Sequence, residues 1–281
     1  AMPLLDLGIA GAGLLGRLLA WRLARAGHPG SGCDPAPGPQ PTDPQALLVR
    51  AYFHLSAEGA GGGGPQAALD DLDAYEAALK QPGAAADRRG LAPALLLRSA
   101  ALRALGRHAE AVAAVDRMLV LENPEGVSRA EAFVERGRSL AALGRQARAL
   151  EDYAQALAQD PGNVPALMAR GDLYFVLGQA GEAEADYGRV LALEPGNALA
   201  WANRGAARGE QGRPAEAEAD FARAIALDPG MVAGWAGRGM ARSQKGDIAG
   251  MCADYREACA RGECARLGQA RAVGYCVEPV R

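Results

Sequence analysis

"AEAFVERGRSLAALGRQARALEDYAQALAQDPGN" occupies residues 130–163. Residues 164–197 read "VPALMARGDLYFVLGQAGEAEADYGRVLALEPGN", and residues 198–231 read "ALAWANRGAARGEQGRPAEAEADFARAIALDPGM". The tripeptides Asp160-Pro161-Gly162, Glu194-Pro195-Gly196 and Asp228-Pro229-Gly230 recur every 34 residues. A fixed period of this length marks a stacked repeat architecture. Each unit holds two stretches with the apolar spacing of a helix. Gly144, Gly178, Gly212 and Gly246 punctuate the turn between the two stretches. Pro161, Pro195 and Pro229 stop the second stretch and open the next unit. One helix pair cannot bury its apolar face alone, so the pairs must stack.

The pattern extends both ways from this centre. Residues 92–125, "APALLLRSAALRALGRHAEAVAAVDRMLVLENPE", repeat it, set off from Ala130 by an inserted "GVSR". Residues 232–265, "VAGWAGRGMARSQKGDIAGMCADYREACARGECA", repeat it and lose the closing proline. Upstream, "DDLDAYEAALKQPG" at 70–83 echoes "RALEDYAQALAQDPG" at 148–162. This predicts a worn extra pair, with helices over Pro44–Ser56 and Pro65–Lys80 joined by a flexible loop containing Gly61–Gly64.

These units resemble tetratricopeptide repeats. Numbering each unit from 1, the bulky residue at position 4 is Phe133, Leu167, Trp201 and Trp235. The small residue at position 8 is Gly137, Gly171, Gly205 and Gly239. Position 20 is Ala149, Ala183 and Ala217, then Met251, and the aromatic at 24 is Tyr153, Tyr187, Phe221 and Tyr255. The small residues allow close helix approach, and the aromatic fills the space beside them. The resemblance implies an all-α superhelical solenoid of about five and a half helix pairs with a C-terminal capping helix. The expected organisation is an N-terminal Gly-rich turn and helix at 1–34 and a proline-rich linker at 35–43. A degenerate repeat at 44–91, the repeats at 92–265 and a cap at 266–281 follow.

A second regularity accompanies the repeat. Arg136, Arg170, Arg204 and Arg238 each stand 16 residues before an aspartate: Asp152, Asp186, Asp220 and Asp254. This places opposite charges on the two helices of each pair and predicts a ladder of ion pairs that fixes helix register.

The opening "GIAGAGLLG", residues 8–16, asks a different question. Residues 5–34 resemble the first βαβ turn of flavin-dependent oxidoreductases, which would assign Gly11, Gly13, Gly16 and Asp34 to a dinucleotide. The second strand, however, reads "PGSGC", with residues poor in strands, and no further βαβ unit follows. The expectation is therefore no cofactor, with a relic of that fold or a glycine-rich turn before a helix at Leu14–Ala26. The alternative is an oxidoreductase fragment.

Composition narrows the function classes. Lys and Arg number 30 against 33 Asp and Glu, with no basic stripe, so nucleic acid is not expected as a partner. There is no uncharged apolar run of membrane-spanning length. His28, His54 and His108 have no metal-ligand spacing, and no catalytic motif stands out, so neither a metal site nor enzymatic activity is expected. Four of the 5 cysteines, Cys252, Cys259, Cys264 and Cys276, crowd the C-terminus. Cys252 and Cys259 are seven residues apart on one helix face. A capping helix from about Cys264 to Val273, running antiparallel to its neighbour, would return Cys276 to Cys252 and leave Cys264 beside Cys259. The predicted pairs are Cys252–Cys276 and Cys259–Cys264 in an exported or periplasmic protein; free thiols would go with the cytoplasm.

The resemblance implies a scaffold or adaptor that takes a peptide or helix of another protein on the face lined by the first helix of each unit. Positions 2, 5, 6, 9, 12 and 13 supply Leu96, Leu97, Arg103, Val134, Glu135, Arg138, Met168, Asp172, Phe175, Asn203, Glu210, Met240 and Gln244. This set lacks the Lys/Asn/Arg combination with which chaperone-binding relatives hold a terminal carboxylate. The remaining alternative is an architectural protein that self-associates.

Overall fold

The computed structural model describes residues 44–56, 63–81, 90–121 and 127–277. The glycine motif (Gly11, Gly13, Gly16), Asp34 and the linker at 35–43 lie outside these residues. The described residues form 13 helices and no strand. In chain order they are α1 (Pro44–Ser56), α2 (Gly64–Leu79), α3 (Leu91–Ala104), α4 (His108–Leu119), α5 (Arg129–Ala142), α6 (Gln146–Gln159) and α7 (Val164–Val176). Then come α8 (Ala180–Leu193), α9 (Ala198–Glu210), α10 (Pro214–Leu227), α11 (Val232–Gln244), α12 (Ile248–Ala260) and α13 (Ala265–Ala272). They make six antiparallel pairs and a single terminal helix; the worn stretch at the start counts as a whole pair.

Local chemistry explains the punctuation. Gly178, at φ 75°, sits in the left-handed region that closes the α7–α8 turn, and Gly144, Gly212 and Gly246 repeat that conformation. The "PGN" endings do two things. The proline ends the second helix, and the asparagine caps the next: Asn163 Oδ1 accepts from Ala166 N at 3.0 Å, and Asn197 Oδ1 from Ala200 N at 2.9 Å. Where "GVSR" interrupts the period, Ser128 takes over in a capping box with Glu131.

The chain forms two compact units, residues 1–156 and 157–281, whose boundary falls inside α6. In the first unit, Leu47, Leu48, Leu69, Leu72, Tyr75 and Leu97 form one core, and Leu95, Leu96, Val115, Met118 and Val127 another. In the second, Ala183, Tyr187 and Ala207 form a core flanked by Met168, Tyr174 and Phe175. Ala202, Ala217, Phe221, Ala224 and Ala241 build the next. Met251, Cys252, Tyr255, Leu267, Ala270 and Cys276 close the end under α13.

Each later pair closes around a glycine and an aromatic ring. A Cβ on Gly171 would stand 2.8 Å from Tyr187 Cε1, and one on Gly137 would stand 2.6 Å from Tyr153 Cε1. Only glycine allows the second helix this near. The ion-pair ladder is present at all four positions. Arg136, Arg170, Arg204 and Arg238 each grip both oxygens of Asp152, Asp186, Asp220 and Asp254 at 2.7–3.0 Å. These aspartates are buried, and a two-pronged grip by a planar guanidinium suits a buried carboxylate. Arg204 also lies 4.6 Å from the Trp201 ring centre, and Arg238 4.9 Å from that of Trp235. Arg50 and Asp71 make the same two-pronged contact in the α1–α2 pair, across the longer glycine loop.

A second charge network ties neighbouring repeats in the second unit. Glu184 on α8 accepts from Arg208 at 2.8 Å, Gln211 at 2.9 Å and Arg213 at 2.6 Å. One period on, Glu218 accepts from Arg242 at 2.8 Å and Lys245 at 2.7 Å. Burial opposes ionisation of Glu184, but its hydrogen bonds with Arg208, Gln211 and Arg213 outweigh this and hold its carboxyl at about 2. Hydrogen bonds from Lys245 and Arg242 draw Glu218 down as well.

Two outcomes follow from this packing. Ala183 is fully buried, so Ala183→Leu should overpack the α7–α8 pair and cost about 1–3 kcal/mol in chemical denaturation. The depressed Glu184 contributes stability that is complete above the ordinary value of 4.5 and is lost as pH falls toward about 2. Melting temperature should therefore drop across that window. Glu184→Gln should flatten the drop; an unchanged acid profile would show that the network carries no pH-linked stability.

Candidate protein-docking face

The first helices of the pairs, α3, α5, α7, α9 and α11, carry the residues singled out for partner binding. Three of these are corrected by burial. Leu96 and Leu97 are 6% exposed and Val134 3% exposed. Leu96 belongs to the core with Val115 and Met118, and Leu97 to the core with Leu69 and Leu72. Position counting gave the helix face but not the neighbouring helices that cover it. In the first unit the partly exposed members form a charge cluster instead. Arg103 Nε donates to Glu135 at 3.3 Å, and Arg138 Nη1 donates to the other oxygen of Glu135 at 2.7 Å.

In the second unit the structure brings Met168, Asp172, Phe175 and Asn203 together. Met168 and Phe175 pack, half-buried, on the core of Ala183, Tyr187 and Ala207. Asp172 is exposed one turn beyond Met168 on α7. Its Oδ1 accepts from Tyr187 Oη at 2.7 Å and from Asn203 Nδ2 at 3.0 Å. Burial, the hydrogen bond to Asp172 and its negative charge push the Tyr187 hydroxyl well above the usual range, so it stays a donor. The carboxylate is thus fixed in place by donors from α8 and α9, with apolar surface on either side. The repeat position of Tyr187 points to packing alone; its hydroxyl acts as a donor only because Asp172 faces it across the pair.

Other members of the set sit apart. Glu210 and Gln244 are exposed at the last residues of α9 and α11. Met240 is 39% exposed, and its Sδ lies 2.9 Å from Arg266 Nη1 of α13. The first unit also holds a cleft of about 260 Å³ lined by residues that include Arg98, Arg107, Arg117, Asp73, Glu110 and Ala114. Ala114 stands where the four later repeats have the ladder aspartate, and Arg98 turns instead to Asp73 at 2.6 Å and Glu76 at 3.2 Å.

The cysteines at the end of the second unit are joined Cys252 to Cys276 and Cys259 to Cys264, with Cα separations of 5.2 and 4.1 Å. Among the described residues no group of His, Cys, Asp and Glu is placed to hold a metal ion. No described helix is long and apolar enough to cross a membrane.

Comparison with known proteins agrees with this geometry. The profile described as "Tetratricopeptide repeat" matches residues 101–164, 134–198, 168–232 and 203–262. No curated protein matches the sequence. Among solved structures, a tetratricopeptide repeat protein from Parabacteroides merdae is similar at a TM-score of 0.63 and 22% identity, over 83% of this chain and 87% of that one. Cut9–Hcn1, a hetero-tetramer of the APC/C, is similar at 0.67 and 14%, over 94% of this chain and 46% of that one. MamA from Desulfovibrio magneticus is similar at 0.55 and 19%, over 62% and 97%. At these identities the structural likeness shows the fold. The profile matches span more than half of the sequence, in register with the helix pairs, and the chain belongs to the tetratricopeptide repeat family.

Proposed function

We propose that the protein is a non-catalytic interaction scaffold that holds a segment of another protein on the α7–α9 face of its second unit. The observation that carries this reading is the fixed carboxylate of Asp172 beside half-buried Met168 and Phe175. Stacked repeats present their first helices as an extended binding surface. A methionine adapts its shape to an apolar anchor, and a phenylalanine supplies rigid contact area. Asp172 sets a fixed negative charge on this exposed face. The ligand that suits this pattern is a helix or extended peptide with an apolar anchor next to a lysine or arginine.

The experiment is affinity capture by the full chain from the native cell. Met168→Glu combined with Phe175→Glu should abolish capture while helical circular dichroism is retained. A control substitution, Glu182→Arg on the exposed face of α8, should leave capture intact. Capture that survives the double substitution would move the binding face elsewhere.

A further inference from the structure

The two disulfides at the end of the chain differ in access. Cys252 and Cys276 are 5% and 6% exposed, inside the core made by Met251, Tyr255, Leu267 and Ala270. Cys259 is half-buried and Cys264 exposed, at the turn that leads from α12 into α13. The two bridges also hold different things. Cys259–Cys264 closes a sequence separation of 5 residues at the near end of α13; Cys252–Cys276 closes one of 24 and holds the far end. The helix between them has 8 residues, of which Leu267 and Ala270 are buried. A helix this short does not persist in water without tertiary support.

We propose that Cys259–Cys264 is a thiol-exchange site open to small dithiols, and that Cys252–Cys276 is a shielded latch that keeps the cap seated until it too is reduced. Exchange requires a thiolate to reach a disulfide sulfur, and access sets which bridge reacts first. At the open site, one thiolate of the dithiol attacks Cys264 Sγ. The bond to Cys259 breaks, and Cys259 leaves as a thiolate and takes a proton. The second thiol of the reagent, as its thiolate, then closes on the first and releases Cys264, which is protonated in turn. Two electrons pass from the dithiol, now a cyclic disulfide, to the protein bridge, now two thiols. This first stage leaves Leu267 and Ala270 docked, because Cys252–Cys276 still pins the far end. The second stage requires local opening of the cap core and bares Met251 and Tyr255.

The test uses the full chain purified oxidised. It is exposed to dithiothreitol under native conditions, quenched with N-ethylmaleimide and mapped by peptide mass. Cys259 and Cys264 should label at least about tenfold faster than Cys252 and Cys276, as burial behind an opening step requires. Amide hydrogen exchange over 265–277 should stay slow after the first stage and become fast after the second, with 180–193 unchanged. Simultaneous labelling of all four, earlier labelling of Cys252 and Cys276, or four free thiols in the oxidised preparation would overturn the proposal. Cys259→Ser with Cys264→Ser should preserve slow exchange over 265–277; fast exchange in that variant would show that the exposed bridge, and not the shielded one, seats the cap.

Discussion

An aromatic ring resting on a glycine sets the distance between the two helices in each of the four pairs from α5–α6 to α11–α12. In the α7–α8 pair, the Tyr187 ring lies only 2.8 Å from where a Cβ on Gly171 would stand. That approach encloses Ala183 completely, and it also governs the charges. Arg170 directly precedes Gly171 and Asp186 directly precedes Tyr187. Once glycine and ring meet, guanidinium and carboxylate are brought within two-pronged reach. The ion pair is therefore a consequence of the packing, and it locks the register that the packing selects.

The earlier pairs show that this is a fit of volumes rather than a fixed pair of residues. The α3–α4 pair has Ser99 in place of the glycine and Val115 in place of the ring, both fully buried. The α1–α2 pair has Ala51 and Leu72, also fully buried. As the first residue grows, the second shrinks, which conserves the filled volume. The aspartate is retained with Ala51 and Leu72, where Arg50 grips Asp71, and is lost beside Val115, where Ala114 replaces it. Arg98 is then left without its own pair's carboxylate and forms ion pairs with Asp73 and Glu76 of the preceding pair.

The helix pairs and the ladder were legible because both depend on spacings inside one repeat. Pro161, Gly178 and Asn197 act within a few residues of themselves, and Arg204 finds Asp220 one helix away. Legibility fails once a residue's surroundings come from another repeat. Leu96, Leu97 and Val134 have the right position numbers for an exposed face, yet packing around them closes it. Asp172 was identified, but its fixed geometry comes from Tyr187 and from Asn203, 31 residues away. The Glu184 network did leave a trace in the sequence, since Glu184 and Glu218, Arg208 and Arg242, and Gln211 and Lys245 all recur with the repeat period. Nothing in one repeat alone shows that these residues meet across the boundary between two.

The α11–α12 pair poses a separate physical problem, because among the described residues it is followed by one short helix rather than by another pair. Phe221 shows what a successor does: its ring presses on Gly237 of the following pair so closely that a Cβ there would stand 2.3 Å away. Tyr255 occupies the same repeat position in the last pair. Its cover comes from α13, which begins at Ala265, where the first helix of another repeat would start. The helix stops after two turns, at Gly274 with φ 86°, before it could supply a full first helix. Leu267 and Ala270 give it a small buried area, and small apolar areas contribute correspondingly little to docking. The chain makes up the shortfall covalently, with Cys276 returned to Cys252 inside the core that α13 covers.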